Sequence, residues 1–226
     1  MLSIRNLAGT GIGPIDLKLA GGEVAAITGA SGAGKSLLLR AIADLDPNEG
    51  EIMLDGEERS TMPAPNWRAQ VAYVAAETSW WAERVGDHFE EKRSATQLLE
   101  QVGLGESVLD WSIPRVSTGE KQRLALVRSL VGKPRVLLLD EPTSALDATN
   151  RQLVEQLLIG RLGEGTSIII VTHDPDIAYK VGRVVMILDG KMSTEIRRKV
   201  SFRRVSGEAE TGVELEEFTL VDGAGR

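Results

Sequence analysis

The chain alternates between short apolar runs and stretches with helical periodicity. Three runs, at residues 24–27, 136–139 and 168–171, have no polar interruption, which is typical of strands that are buried on both faces of a sheet. Helical patterns occur in the regions between these runs, at residues 36–45, 120–130 and 149–159. Strands that alternate with helices predict an α/β fold with a mainly parallel sheet flanked by helices.

The amino-terminal residues follow a different pattern. Leu2, Ile4, Ile15, Leu17 and Leu19 are separated from one another by polar or small residues. An alternation of this kind predicts short strands with one buried face. We therefore expect an antiparallel β part at the beginning of the chain.

Two later regions lack a clear strand pattern. Residues 77–116 carry no strong strand signal, so we predict a helical insert that extends to about residue 130. The pattern weakens beyond Met192, where a cluster of basic residues precedes a cluster of acidic residues. We predict one domain over residues 1–192 and a short, partly ordered tail over residues 193–226.

Composition and charge narrow the class of protein. The chain has 226 residues, which is the size of one large domain, and no cysteine, so disulfides and thiolate metal sites are excluded. Its net charge of −7 argues against an extended nucleic-acid surface. The apolar runs are far shorter than the roughly 20 residues that span a bilayer. These features predict a cytoplasmic protein that binds no nucleic acid.

A glycine-rich segment at residues 29–36 fits the pattern G-x-x-x-x-G-K-[ST]. Glycines let the backbone curl so that successive N–H groups point at phosphate oxygens, and the following helix adds its positive end. Lys35 is the expected cation for the β- and γ-phosphates, and the Ser36 hydroxyl is an expected Mg²⁺ ligand. The predicted nucleotide-binding residues are Gly29, Ala30, Ser31, Gly32, Ala33, Gly34, Lys35, Ser36 and Leu37.

Two acidic residues, Asp140 and Glu141, follow the run at 136–139. They are expected at the carboxyl edge of the sheet, where ligands of α/β proteins bind. Asp140 is the expected second Mg²⁺ ligand, and Glu141 is expected to orient and deprotonate the attacking water. Taken alone, such a pair is more often a helix cap, but the glycine-rich segment earlier in the chain favours the catalytic interpretation.

The chain has two histidines, and only one lies in a suggestive position. His173 follows the third apolar run, at the same predicted edge, where a neutral imidazole could link the γ-phosphate and the catalytic water. A lone histidine at a strand end is usually an ordinary loop residue, and the shared edge is what favours a catalytic role here. His88 has no such context and is interpreted as structural.

These motifs, in this order, resemble the nucleotide-binding subunits of ATP-binding cassette (ABC) proteins, over roughly residues 2–192. The glycine-rich segment resembles Walker A, and residues 136–141 resemble Walker B with its catalytic glutamate. His173 resembles the switch histidine, and Asp147 lies in a segment similar to the D-loop. The residues at the position of the signature motif are Ser117, Thr118, Gly119 and Glu120.

The resemblance implies a mechanism and partners. ATP and Mg²⁺ would bind between two copies arranged head to tail, with the signature helix of one copy contacting the γ-phosphate held by the other. Hydrolysis assisted by Glu141 would release this homodimer. Within the family, the sequence is similar to small bacterial cassettes linked to iron or metal export. Such subunits lie at the inner face of the cell membrane and act on a separate transmembrane permease.

Three features depart from the family pattern. Thr118 and Glu120 replace the usual glycine and glutamine of the signature. Glu77 stands close to the position of a glutamine that reaches Mg²⁺, so we include it as a third candidate metal ligand. No aromatic residue occurs between Asn6 and Pro14, where the family often stacks adenine, and this leaves the preference for ATP over GTP open.

Two alternatives to a transporter subunit stay open from the sequence. One is an ABC ATPase without a membrane partner, and the other is a degenerate cassette that binds nucleotide as a regulatory clamp.

Trp80 and Trp81 are adjacent and cannot both enter one core face of a regular element. Simple packing and a partner-binding groove are both compatible with this pair.

Overall fold

The computed structural model describes residues 1–197, 201–202, 211–212 and 219–222. The helices in these ranges are α1 (Lys35–Ile42), α2 (Ala64–Gln70), α3 (Lys92–Gln101), α4 (Thr118–Val131), α5 (Ala148–Gly163) and α6 (Pro175–Lys180). The strands are β1 (Leu2–Gly9), β2 (Ile12–Leu19), β3 (Val24–Thr28), β4 (Asn48–Leu54), β5 (Glu57–Glu58), β6 (Val71–Val74), β7 (Val136–Asp140), β8 (Ser167–Val171), β9 (Arg183–Leu188), β10 (Lys191–Arg197), β11 (Ser201–Phe202), β12 (Thr211–Gly212) and β13 (Thr219–Asp222).

The main sheet has the strand order β13-β10-β9-β3-β8-β7-β6. Strands β9, β3, β8, β7 and β6 run parallel, whereas β10 pairs antiparallel with β9 and β13. The central strands β3, β7 and β8 are buried almost throughout, because helices or a second sheet cover both of their faces. This architecture confirms the predicted α/β class with a mainly parallel sheet.

A second, antiparallel sheet has the order β2-β1-β4-β5, which confirms the predicted antiparallel part. One hydrophobic core lies between this sheet, α1 and one face of the main sheet, and includes Ile4, Ile27, Leu39 and Leu138. Alternate residues of the same central strands, such as Ala26 and Leu139, face a second core.

The second core packs the main sheet against α3, α4 and α5. The region between β6 and β7, where the sequence predicts a helical insert, contains α3, α4 and three 3₁₀ turns at Val85–His88, Glu106–Asp110 and Ile113–Arg115. The boundary proposed after Met192 falls inside β10, and β13 adds to the edge of the main sheet. The remaining residues of the predicted tail lie outside the described part of the chain.

Within the described residues, no helix is both long and apolar enough to cross a membrane.

Candidate nucleotide-binding site

The predicted site residues follow four neighbouring strands of the main sheet. Strands β3, β8, β7 and β6 lie side by side in parallel, so their carboxyl ends form one edge. The loop at 29–36 follows β3, His173 follows β8, Asp140 ends β7 and Glu141 comes directly after it. Glu77 lies in the loop after β6. The topology therefore brings the phosphate-binding loop, the acidic pair and the histidine to the same edge.

Backbone contacts fix the shape of the phosphate-binding loop. Gly29 has a φ of 146°, and a Cβ there would lie 2.2 Å from the carbonyl oxygen of Ile187. Gly34, with a φ of 96°, begins α1 in a left-handed conformation, which L-residues rarely adopt. The N–H of Gly190 donates to the carbonyl oxygen of Ala33 at 3.0 Å. The β9–β10 turn therefore holds the loop in place from the side.

Lys35 is buried under this loop, with 6% of its surface exposed. Its ammonium group donates to the carbonyl oxygens of Gly29 and Ala30, at 2.9 and 2.8 Å. The cation is thereby held against the backbone whose N–H groups are expected to bind phosphate. Ser36 and Leu37, at the start of α1, are exposed.

Asp140 is the last residue of β7 and only 5% exposed. Its Oδ2 accepts a hydrogen bond of 3.2 Å from the hydroxyl of Tyr73, which lies on the neighbouring strand β6. Burial raises the pKa of Tyr73, and the negative charge of Asp140 raises it further, so the phenol stays protonated and donates. Sequence analysis missed Tyr73, because a tyrosine in a strand carries no signal that distinguishes it from core packing.

Glu141 lies beside His173, with 3.5 Å between Glu141 Oε1 and His173 Nε2. The same Oε1 is buried and has no hydrogen-bond partner among the described residues. Burial raises the pKa of Glu141, although His173 acts in the opposite direction. Glu141 also has a φ of 49°, a conformation that is costly for a residue with a side chain. A carboxylate whose proton affinity is raised is suited to accept a proton from water.

The signature segment begins α4. Ser117 is the N-cap: its hydroxyl accepts from the N–H of Glu120, whose carboxylate accepts from the Ser117 N–H at 2.9 Å. This reciprocal pair is a capping box. The Ser117 hydroxyl also donates to the Glu120 carboxylate at 2.8 Å. Ser117 and Thr118 are exposed.

Gly119 has a packing role that the sequence did not indicate. A Cβ at this position would lie 2.9 Å from the carbonyl oxygen of Ala145, so α4 is pressed against the segment before Asp147. The contact with Ala145 by itself requires glycine at this position.

Asp147 caps α5, accepting from the backbone and side chain of Asn150 at 2.8 and 2.7 Å. These hydrogen bonds lower the pKa of Asp147, so its carboxylate stays ionised. The group that ties this segment to Glu141 is the buried Gln122 of α4. Its amide donates to the carbonyl oxygen of Glu141 at 2.6 Å and accepts from the N–H of Ala145 at 3.2 Å. Sequence analysis missed Gln122, although a polar residue on the apolar face of α4 is a usable signal.

Glu77 is exposed in the loop after β6 and makes no side-chain hydrogen bond within the described part of the chain.

The segment without an aromatic residue, near Gly11, lies beside the start of α1. A Cβ on Gly11 would be 3.2 Å from a methyl carbon of Leu37. The surface next to the phosphate-binding loop is therefore aliphatic here.

The donor set fits Mg²⁺ bound together with a nucleotide. Asp140 supplies a buried carboxylate and Ser36 an exposed hydroxyl, and oxygen ligands of this kind suit Mg²⁺. Among the described residues, no group of three or more acidic or histidine side chains could hold a metal ion. At phosphate sites, phosphate and water usually supply the remaining ligands of Mg²⁺.

A phosphate-binding loop, an acidic strand end and a capped signature helix on one parallel sheet define an ABC-type nucleotide-binding domain. Comparison with known proteins agrees: residues 12–144 match the family model described as ABC transporter. The chain belongs to the ABC transporter family, and it is an ATP-binding subunit with the ATPase domain of that family.

Two relatives illustrate the similarity. The probable iron export ATP-binding protein FetA of Escherichia coli K12 is 35% identical over 185 residues, covering 76% of this chain and 82% of the relative. The aliphatic sulfonates import ATP-binding protein SsuB 1 of Xanthomonas axonopodis pv. citri is 40% identical over 200 residues, covering 80% and 75%.

The fold is also that of solved cassettes. One is a dimeric ATP-binding cassette in a post-hydrolysis state, bound to ADP and Pi. It superimposes with a TM-score of 0.73 at 24% identity, over 87% of this chain and 98% of that one.

Proposed function

We propose that this chain powers solute transport through a separate membrane permease, by closing head to tail with a second copy around two Mg-ATP molecules. The observation that carries the proposal is the arrangement of groups at one edge of the sheet. Glu141 directly follows Asp140, and its Oε1 lies 3.5 Å from His173 Nε2. The phosphate-binding loop lies at the same edge. Relatives named as iron export and sulfonate import ATP-binding proteins support a role in transport. Because these names differ in solute and direction, the proposal covers energy coupling only.

Each part of the site has a distinct role in this proposal. The N–H groups at 29–36 and the start of α1 bind the phosphates, and Lys35 counters their charge. Mg²⁺, when bound by Ser36 and Asp140, neutralises further phosphate charge. Glu141 accepts the proton of the attacking water, while His173 orients the water and the terminal phosphate.

The exposed N-terminus of α4 is the part that would act on the second copy. Ser117 can donate to an anion, and the helix end adds positive potential. In a head-to-tail pair, this end would complete the phosphate shell of the partner's nucleotide. ATP then favours the closed pair because it contacts both copies only in that state. The chain would work in the cytoplasm, at the inner face of the membrane.

Phosphate release from ATP in the presence of Mg²⁺ tests the catalytic assignment. Glu141→Gln keeps the shape of the side chain but removes the proton acceptor, so we expect the rate to fall by roughly 10²–10⁴-fold while ATP binding persists. Glu100→Gln, on the exposed side of α3, is the matched control and should leave the rate unchanged. A Glu141→Gln chain that hydrolyses ATP at the unmodified rate would remove Glu141 from the mechanism.

A further inference from the structure

The backbone conformation of Glu141 needs support from its surroundings. Its φ of 49° lies in the left-handed region, which is uncommon for residues other than glycine. Pro142 follows directly, and a residue before proline favours an extended conformation instead. A sparsely populated conformation of this kind persists only where neighbouring groups over-determine it. The contacts around Glu141 must therefore supply that support.

Three donors converge on the carbonyl oxygen of Glu141. The side-chain amide of Gln122 donates to it at 2.6 Å, the hydroxyl of Ser144 at 3.1 Å and the N–H of Ser144 at 3.3 Å. The N–H of Glu141 donates in turn to the carbonyl oxygen of Val171 on β8, at 3.0 Å. Both backbone polar groups of Glu141 are thus hydrogen-bonded, and the shortest of these bonds comes from Gln122.

The amide of Gln122 is itself fixed in one orientation. The residue is only 4% exposed. Its Oε1 accepts from the N–H of Ala145 at 3.2 Å, and its Nε2 also lies 3.2 Å from the hydroxyl of Ser144. Because the Ala145 N–H can pair only with the amide oxygen, the NH₂ group must point at the Glu141 carbonyl. Burial makes the loss of any of these hydrogen bonds costly.

The carboxylate of Glu141 depends on this backbone for its position. Its Oε1 is buried, lies 3.5 Å from His173 Nε2 and has no hydrogen-bond partner within the described residues. An oxygen that no donor holds is placed by the backbone from which its side chain extends. A change in the backbone of Glu141 would therefore move this oxygen away from His173.

Packing alone does not account for a glutamine at this point of α4. Most of the buried residues of the helix are apolar and belong to the second core. An apolar side chain of similar size would fill the space of Gln122 without the cost of burying an amide. Within the described residues, every hydrogen bond of the Gln122 side chain ends in the segment 141–145. The amide therefore serves that segment.

We infer that Gln122 is a positioning residue for Glu141: its amide holds the backbone of Glu141 in the left-handed conformation that keeps the carboxylate beside His173. This inference rests on the proposed function, in which Glu141 accepts the proton of the attacking water. Gln122 acts only through Glu141 and is not itself a catalytic residue. Because Gln122 lies on the helix that begins after Ser117, the base is also tied to the element that is proposed to meet the second copy.

Gln122→Met tests the inference, because methionine keeps the length and packing of the side chain but makes none of its hydrogen bonds. We expect the kcat of Mg-ATP hydrolysis to fall by about 10²-fold, the effect of a displaced catalytic group. The Kd for Mg-ADP, measured by isothermal titration calorimetry, should stay unchanged. The stoichiometry of that titration counts the chains that fold and bind nucleotide, so a loss of folded protein is separated from a loss of kcat.

A double-mutant cycle shows whether Gln122 acts through Glu141. Once Glu141→Gln has removed the proton acceptor, Gln122 has no base to position. We therefore expect Gln122→Met to change the residual rate of the Glu141→Gln chain by less than about threefold, because residues that act as a unit have non-additive effects. The same loss in both backgrounds would overturn the inference, since Gln122 would then act on something other than the base.

Ser167→Ala is the matched control. Ser167 is 3% exposed, and its hydroxyl donates to the carbonyl oxygen of Ala20 at 2.8 Å. It begins β8, at the end opposite the edge that carries Glu141. Like Gln122→Met, this change removes a buried hydrogen bond to a backbone carbonyl and should lower the midpoint of urea unfolding, but it should leave kcat unchanged.

Gln122→Asn keeps the test decisive if Gln122→Met does not fold. Asparagine is one methylene shorter, so it withdraws the amide from the Glu141 carbonyl while the site stays polar. We expect kcat to fall by at least about tenfold, again with an unchanged Kd for Mg-ADP. A kcat equal to that of the unmodified chain, for either variant of Gln122, would overturn the inference.

The two proposals fail in different ways. A Glu141→Gln chain that hydrolyses ATP at the unmodified rate contradicts the catalytic proposal, and the inference about Gln122 falls with it. A Glu141→Gln chain that loses its activity, beside a Gln122→Met chain that keeps it, contradicts only the inference about Gln122.

Discussion

At the scale of single residues, the two adjacent carboxylates of the site differ in their surroundings, and these differences support the two roles that we propose for them. Glu141 is held in a left-handed backbone conformation with one buried oxygen lacking a hydrogen-bond partner within the described residues. Asp140, one residue earlier, is oriented by the Tyr73 hydroxyl. We propose different roles for these adjacent acids because their surroundings differ.

The raised pKa of Glu141 has a consequence for stability. The folded chain binds a proton at Glu141 more readily than the unfolded chain, so this group stabilises the fold at acid pH and loses that contribution as pH rises through the folded pKa. Glu141→Gln has no such loss. We therefore expect the variant to gain stability relative to the unmodified chain at neutral pH. The gain should shrink as pH falls through the raised folded pKa and should be lost below the ordinary glutamate pKa of 4.5.

Urea unfolding without nucleotide, at about pH 4 and pH 8, measures this difference. Glu100→Gln, on the exposed side of α3, is the control for changing net charge by one. A gain for Glu141→Gln that is the same at both pH values would contradict a raised pKa.

Tyr73 is expected to act as a positioning residue. Tyr73→Phe removes the hydroxyl 3.2 Å from Asp140 Oδ2 and leaves the ring in place. Loss of a hydrogen bond to a metal ligand typically costs about 10–100-fold in metal affinity or activity, so the Mg²⁺ concentration for half-maximal hydrolysis should rise about tenfold. The midpoint of thermal unfolding separates this effect from a loss of structure. An unchanged Mg²⁺ dependence would show that Tyr73 serves only in packing.

At the scale of elements, the N-terminus of α4 carries the most unusual chemistry. The Glu120 carboxylate lies 2.8 Å from the Ser117 hydroxyl, and the hydrogen bond from the Ser117 N–H lowers the pKa of Glu120. An ionised carboxylate therefore stands next to the group that would meet the partner's phosphate. Its repulsion should weaken the closed pair.

Glu120→Gln tests this repulsion. Glutamine can also complete a capping box, so the helix should remain capped while the negative charge is lost. We expect ATP-dependent association to strengthen several-fold at low salt, with a smaller gain at high salt because screening already reduces the repulsion. Sedimentation at two salt concentrations measures this, with Glu100→Gln as the control. Weaker association of Glu120→Gln would mean that the carboxylate itself contributes to the interface.

The elements were more predictable than the contacts between them. Strands β7 and β8 were evident from the sequence because an uninterrupted run of four apolar residues between polar ones is typical of a strand buried on both faces. Strand β10 was missed beyond Met192, since its polar residues alternate weakly and its pairing with β9 supplies the order. The roles of Tyr73 and Gln122 depend on which strands and helices become neighbours, and a local pattern carries no such information.

At the scale of the whole molecule, the proposed function places two copies face to face. The edge that holds Lys35 and Glu141, together with the exposed Ser117, is the surface that we propose for the second copy.

Head-to-tail closure around ATP is the central claim, and the mass of the Glu141→Gln chain in solution tests it most directly. Light scattering during size-exclusion chromatography, with saturating ATP and Mg²⁺, should give twice the chain mass of 24.4 kDa, and the chain mass itself without nucleotide. Adding Ser117→Arg should return the ATP-bound sample to a monomer. A monomer with ATP, or a dimer that survives Ser117→Arg, would contradict head-to-tail closure.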